Sequence, residues 1–152
     1  MSIKNKVELF PLTCMSPANG IEICPVDSGK HLGTSGIHQP LFGHETTLVT
    51  IAPGTVEDLF VHHFQTDQLL VVQGSVVLVV LQNRQYQYIL MSECKPTIVK
   101  IPPGIPHGAI NMSSQPCIVI NSVLRHGPAD ERDYRPLHRP FPYDLDVVKA
   151  ML

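Results

Sequence analysis

Two runs of β-branched and other apolar residues meet at Gly74, in the middle of the chain. Residues 68–73 and residues 75–81 are both of this composition, which favours strands. The polar residues 82–84 then form a break suited to a hairpin loop, and residues 85–90 alternate between polar and apolar. That alternation is typical of a strand with one wet face. The chain is therefore predicted to fold around packed β-sheets.

Further strands are predicted at residues 47–52, 59–64, 97–101 and 117–124. Short strands punctuated by proline and glycine, with almost no helical periodicity, indicate an all-β sandwich or barrel. One exception is the tail 144–152, whose acidic start and apolar spacing predict a short terminal helix. Residues 27–43 are rich in Gly, Ser and His and are predicted to form a long loop or arm.

The length of 152 residues predicts one domain, which we divide into an N-terminal arm (1–45), a barrel core (46–125) and a C-terminal extension (126–152). A net charge of −2 gives no electrostatic reason to expect nucleic acid or an anionic membrane as partner. No apolar run approaches the roughly 20 residues that a membrane helix needs. The first six residues are not followed by the apolar block of a secretion signal. The four cysteines lie far apart, so we expect reduced thiols and a cytoplasmic protein.

The stretch Pro102-Pro103-Gly104-Ile105-Pro106-His107 predicts a rigid turn that delivers a histidine to the start of a strand. Gly104 can adopt the positive φ of a tight turn, while the prolines fix φ on either side of it. A histidine held this stiffly suits metal binding or acid–base chemistry. The alternative is a Pro-Gly hairpin in which His107 is an ordinary core residue.

A second cluster lies upstream, where His62 and His63 precede Asp67. Because neighbouring side chains of a strand point to opposite faces, His63 facing inward would leave His62 facing outward unless a bulge redirects it. The predicted inward set is then His63, Asp67 and His107, with His62 in reserve. Imidazole and carboxylate ligands of this kind could hold a divalent metal such as Zn, Ni, Mn or Fe.

These segments resemble the two signature motifs of the cupins, a superfamily of small jelly-roll barrels. The pattern P-x-G-x-x-H-x-x-x-N at 102–111 matches the second motif. The first motif is matched in part, with Val61 at its first histidine and Asp67 at its glutamate. H-F-Q at 63–65, I-P-P-G-I-P-H-G at 101–108 and P-A-D-E-R at 128–132 occur in the order seen in RmlC-like cupins. That group includes the dTDP-4-dehydrorhamnose 3,5-epimerases and the related 3,4-ketoisomerases.

The resemblance implies a single-domain RmlC-like jelly roll that forms a homodimer, with a sugar or nucleotide sugar as its ligand. It also implies metal-independent proton transfer next to a ketone, with His63 and His107 catalytic. Gln65 would bind substrate, together with Arg125, Arg132 and Tyr134 near the end of the chain. One departure is that Ile120 stands where the epimerases carry their tyrosine acid.

Three functions follow from these patterns. The favoured one is a metal-independent isomerase or epimerase of a keto-sugar or nucleotide sugar, with no cofactor. The second is a metal-dependent cupin, an isomerase or dioxygenase, with ligands from His62, His63, Asp67 and His107. The third is a sugar-binding or regulatory cupin without catalysis.

Overall fold

A computed structural model describes residues 6–23, 45–128 and 130–152. The strands are, in chain order, β1 (Glu8–Pro11), β2 (Met15–Ala18), β3 (Ile21–Ile23), β4 (Glu45–Ile51), β5 (Thr55–Val56), β6 (Gln65–Gln73), β7 (Ser75–Gln82), β8 (Gln85–Ser92), β9 (Thr97–Ile101), β10 (His107–Asn111) and β11 (Cys117–Arg125). A 3₁₀ helix (Glu131–Tyr134) and one α-helix, α1 (Leu145–Met151), follow. The loop or arm predicted at 27–43 lies outside the described residues.

The strands form two sheets packed face to face. One has the order β1-β9-β6-β11-β4, the other has the order β5-β10-β7-β8, and β2 with β3 forms a separate hairpin. All the strand pairs are antiparallel. Apolar side chains from both inner faces form the core, among them Val71, Val99, Val119, Val76, Leu78 and Val80. This arrangement confirms the predicted all-β jelly roll.

Local sequence signals predicted several elements closely. The bounds of β9 agree with the prediction, and the polar break between β7 and β8 is a tight hairpin turn with Asn83 and Arg84 at positive φ. The terminal helix is also confirmed, since Asp144 caps α1 by accepting hydrogen bonds from the backbone of Asp146 and Val147. Gly74 marks a corner, because β6 and β7 belong to different sheets.

The strand predicted at 59–64 is wrong. Leu59 and Phe60 make only isolated bridges, to Leu137 and His107, and β6 does not begin until Gln65. Residues 61–64 are the crossing from the edge of one sheet to the middle of the other. A segment that changes sheets cannot keep the alternation of a single strand, although its composition is strand-like.

Two further findings concern sequence predictions. Cys14 is disulfide-bonded, so the expectation that all four cysteines are reduced is wrong; Cys94 and Cys117 are free. Among the residues described, no helix has the length and apolar character needed to cross a membrane.

Candidate functional site

A cavity of about 140 Å³ lies between the two sheets. Most of its wall is aliphatic and includes Ile51, Leu69, Val76, Leu78, Met91 and Val119. The polar side chains on the wall are Glu57, His62, Asp67, His107 and Asn121. Asp67 and Asn121 come from the five-stranded sheet, and His107 comes from the facing one. The site is therefore built where both sheets and the crossing segment meet.

Asp67 joins the two histidines of the cavity. Its Oδ2 lies 3.2 Å from Nε2 of His62 and 3.3 Å from Nε2 of His107. The other oxygen, Oδ1, accepts hydrogen bonds from Gln65 Nε2 at 2.6 Å and Asn121 Nδ2 at 3.0 Å. Both oxygens of this buried carboxylate are thus engaged, as a buried charge requires. The imidazole centroids of His62 and His107 are 5.3 Å apart.

Backbone hydrogen bonds hold His62 beside His107. Phe60 and His107 exchange N–H to carbonyl bonds of 2.8 and 3.0 Å, and the Gly104 N–H donates to the His62 carbonyl at 2.8 Å. Gly104 has φ of 83°, so the predicted left-handed turn is confirmed. The Pro-Gly loop therefore positions His107 directly and fixes His62 through the crossing segment.

The prediction that His63 and His107 face one cavity, with His62 turned outward, is wrong. His63 lines a separate surface pocket together with Val61, Arg132, Arg135 and Leu137. The physical reason is that residues 61–64 are irregular, so strand alternation does not set the direction of either imidazole. His62 is the histidine that joins Asp67 and His107.

His63 has a carboxylate partner of its own. Asp133 Oδ1 lies 2.6 Å from His63 Nδ1 and also accepts the His63 backbone N–H at 3.1 Å. Burial favours the neutral acid, but these two hydrogen bonds hold the pKa of Asp133 below its ordinary value. The His63 side chain is 35% exposed, whereas Asp133 is 1% exposed. A buried acid thus orients a half-exposed imidazole outside the barrel cavity.

The surroundings of the two cavity histidines shift their pKa values in opposite directions. His107 Nδ1 lies 2.9 Å from the Ile105 carbonyl, which can only accept, so Nδ1 carries a proton. Burial opposes the charged form of His107, yet the hydrogen bond and charge of Asp67 raise its pKa overall. For His62, burial lowers the pKa despite the attraction of Asp67. Burial likewise opposes ionisation of Asp67. The hydrogen bond from His107 and the charges of His107 and His62 outweigh it and lower the pKa of Asp67 to about 2.

Gln65 and Arg125 form a chain of contacts behind Asp67. Arg125 donates from Nη1 to Gln65 Oε1 at 2.7 Å and from Nε and Nη2 to Glu45. A hydrogen bond also joins Arg125 to Tyr134, which is 65% exposed. Gln65 therefore has both ends of its amide engaged by protein groups, one of them on Asp67. Its role in binding substrate, like those of Arg125 and Tyr134, stays a prediction.

Arg132 lies away from the cavity. It pairs with Asp130 at 2.6 Å and lines the surface pockets next to His63. Its predicted contact with substrate is not tested by this geometry and stays a prediction.

Sequence reasoning did not identify three residues that shape the sites. Asn121 holds Asp67 from β11, Asp133 orients His63 from the 3₁₀ helix, and Glu57 lines the cavity from the segment after β5. Asp133 is 70 residues from His63, and no local spacing predicts such a pair. For Asn121 the available signal was an amide side chain in a mostly apolar strand.

His62, Asp67 and His107 also fit a divalent metal. Each offers one ligand atom, and these atoms lie within 4.8 Å of one another. His62 Nδ1 is a buried nitrogen without a hydrogen-bond partner among the described residues. Two histidines and one carboxylate form a ligand set that divalent metals use with open positions left for substrate. His63, which turns outward, is not part of this group.

No protein-family model and no curated protein matches the chain. Solved structures do match. NovW, a 4-keto-6-deoxy sugar epimerase from Streptomyces spheroides, is 15% identical with a TM-score of 0.67, covering 92% of this chain and 81% of its own. QdtA, a sugar 3,4-ketoisomerase from Thermoanaerobacterium thermosaccharolyticum solved with TDP, is 17% identical with a TM-score of 0.62, covering 97% and 96%.

A capsular polysaccharide assembling protein, CapF from Staphylococcus aureus, is 22% identical with a TM-score of 0.55, and the match covers 62% of this chain. The chain spans only 28% of CapF. These likenesses establish the fold, which is that of the RmlC-like cupins, as the motifs predicted. The structural neighbours include sugar isomerases and epimerases of this type.

Proposed function

We propose that this protein is an isomerase or epimerase of a keto-sugar, with His62 and His107 catalysing proton transfer next to the ketone without a metal. The observation that carries the proposal is the convergence of two imidazoles on one buried carboxylate at the wall of a mostly apolar cavity between the sheets. Proton transfer needs a base and an electrophile held close together and shielded from water.

His62 is the base in this proposal. The Nε2–H of His62 donates a hydrogen bond to Asp67, so Nδ1 is the ring nitrogen that carries the lone pair. Nδ1 has no hydrogen-bond partner among the described residues. The lowered pKa of His62 keeps it neutral, as a base must be. The raised pKa of His107 favours a positive charge on the same wall, which would stabilise the enolate oxygen. Environments that push two pKa values apart are typical of acid–base pairs.

The cavity limits which part of a substrate can enter. Its 140 Å³ is close to the ~150 Å³ of a cavity that binds benzene, so it admits the reacting part of a sugar ring rather than a nucleotide. A nucleotide, if present, would lie outside the barrel, where Arg132 and Arg135 flank the surface pockets. TDP-4-keto-6-deoxyglucose, which is bound to a QdtA variant in one neighbouring structure, is the natural first substrate to test. Its methyl group suits the aliphatic wall.

A second candidate is a metal-dependent cupin, an isomerase or dioxygenase, and the compact group of ligand atoms favours it. His62, Asp67 and His107 would hold a divalent ion such as Zn, Ni, Mn or Fe. That ion would supply Lewis-acid stabilisation of a developing oxyanion. The N–O distances of 3.2 and 3.3 Å suit a direct hydrogen bond and also two neighbouring ligands of one ion.

One experiment separates these functions. Protein purified without added metal is analysed for bound metal, treated with a chelator, and incubated with TDP-4-keto-6-deoxyglucose in D₂O. Proton NMR then reports deuterium at the carbons next to the ketone and the appearance of isomerised product. The proposal predicts exchange and product from metal-free protein.

Stoichiometric metal that survives dialysis, with activity lost on chelation and regained on metal addition, would instead establish the second candidate. Binding of the sugar without exchange or product would indicate a sugar-binding or regulatory cupin and would overturn both enzymatic functions. His63, predicted to be catalytic from the family resemblance, enters the same assay as a parallel variant.

A further inference from the structure

Glu57 reaches the cavity because of a local irregularity beside β10. Val56 pairs with Ile110 and Phe60 pairs with His107, so three residues (57–59) stand opposite two (108–109). This is a bulge, and bulges redirect side chains next to active sites. Gly108 permits the close approach, since a Cβ at this position would lie 2.6 Å from the Asp58 carbonyl oxygen.

Several bonds fix Glu57 in the bulge. Its N–H donates to the Ala109 carbonyl at 3.1 Å, and its carboxylate Oε2 accepts the Ala109 N–H at 2.9 Å. The Tyr143 hydroxyl donates to the Glu57 carbonyl at 2.9 Å. The other carboxylate oxygen, Oε1, has no hydrogen-bond partner among the described residues. The side chain therefore has one oxygen held by the backbone and one free to meet a ligand.

The carboxyl group shares the cavity wall with the acid–base residues. Ala109 follows His107 by two positions on β10, so Glu57 contacts the strand next to the His107 imidazole, and both side chains line the cavity. Burial raises the pKa of Glu57, against the opposing effects of the Ala109 N–H and the charge of His107. A neutral amide would satisfy the Ala109 N–H equally well, so the backbone bond alone does not require an ionisable group here.

We infer that Glu57 is a second proton-transfer residue of this cavity, which delivers a proton to the enolate that His62 generates. The inference rests on the proposed function. His62 breaks the C–H bond next to the ketone and takes the proton, while the electron pair moves to the carbonyl oxygen. The Glu57 carboxyl then gives its proton to carbon and the C–O double bond re-forms. The carboxylate regains a proton from solvent, and His62 releases its proton to solvent. No oxidant or reductant is needed.

The test compares two readouts of one assay, deuterium incorporation into the substrate and formation of the product. Glu57→Gln keeps an oxygen that can accept the Ala109 N–H but cannot donate a proton as an acid. In D₂O with TDP-4-keto-6-deoxyglucose, the variant is expected to incorporate deuterium into recovered substrate within about threefold of wild type, because His62 still removes and returns protons. Product formation is expected to fall by at least about 100-fold. Glu57→Asp, which keeps an acid, should restore part of the product formation.

Glu93→Gln, at an exposed position in the turn after β8, is the matched control and should alter neither readout. Product formed by Glu57→Gln at the wild-type rate would overturn the inference. Loss of exchange and product together with a lower melting temperature would also overturn it, since that is the mark of a structural role. Wild-type protein that shows neither exchange nor product would refute the proposed function itself, which is a distinct result.

Discussion

Asp67 is the residue on which the polar end of the cavity depends. Its four contacts come from His62, His107, Gln65 and Asn121, so it joins the crossing segment, two strands of its own sheet and the facing sheet. A carboxylate buried to this extent is stable only when it is paired. It therefore serves the fold and the chemistry together, because the same contacts set the charge states of both imidazoles.

The charge state of His107 leads to a pH prediction. Its pKa in the folded protein is raised above the ordinary value of 6.5, so the folded state holds the proton more tightly than the unfolded chain. The stability that this provides is fully present below about pH 6.5 and is lost as the pH rises through the raised value. Asp67, with a pKa of about 2, stays ionised across this range.

We therefore expect the free energy of unfolding of wild type to exceed that of His107→Gln by more at about pH 5.5 than at about pH 9. Chemical denaturation of both proteins at the two pH values measures this difference. The opposite trend, with a gap that widens toward alkaline pH, would contradict the assigned pairing of His107 with Asp67.

At the scale of elements, the loop between β9 and β10 and the crossing segment 61–64 act as a unit. The loop follows from local chemistry, since three prolines and Gly104 determine its shape. For this reason His107 could be predicted from the sequence. The direction of His62 could not, because it depends on hydrogen bonds from Phe60 and Gly104 to residues that come close only in the folded protein.

Gly104→Ala tests this coupling. Alanine at φ of 83° is strained, although nothing lies within 4 Å of the added Cβ, so we expect a loss of about 1–2 kcal/mol in the free energy of unfolding. Gly54→Ala is a matched control, with φ of 77° and equally open space. Both variants should lose similar stability, measured by denaturation. Only Gly104→Ala should slow product formation, because the N–H of Gly104 bonds to His62 and that of Gly54 does not. Equal effects of the two variants on activity would argue against the coupling.

At the scale of the whole molecule, the two-sheet architecture was predictable because strand composition and turn residues repeat along the chain. The partition of strands between sheets was not, as Gly74 shows by separating β6 from β7. The same limit applies to the pair His63–Asp133, because Asp133 lies in the C-terminal extension and meets His63 only when that segment returns to the barrel. Long-range pairing is decided by the packed core rather than by spacing in the sequence.

The expected homodimer is a prediction at this scale. β4 ends the five-stranded sheet, no described strand pairs with its outer edge, and Leu48 on it is 70% exposed. Exposed apolar edge strands favour pairing with another chain. We expect wild type to elute as a dimer in size exclusion with light scattering, and Leu48→Lys to elute as a monomer. Leu9→Lys, on the opposite edge strand β1 and 48% exposed, should remain dimeric; a monomeric wild type would refute the expectation.

The central claim is that proton transfer takes place in the barrel cavity at His62. The most direct test compares His62 with the adjacent His63. Solvent deuterium exchange into TDP-4-keto-6-deoxyglucose is measured by proton NMR for wild type, His62→Gln and His63→Gln, after circular dichroism confirms that all three are folded. The account predicts that His62→Gln loses at least about 100-fold in exchange rate, while His63→Gln stays within a few-fold of wild type. Retention of exchange in His62→Gln together with its loss in His63→Gln would contradict the account and place the chemistry at the His63–Asp133 pair.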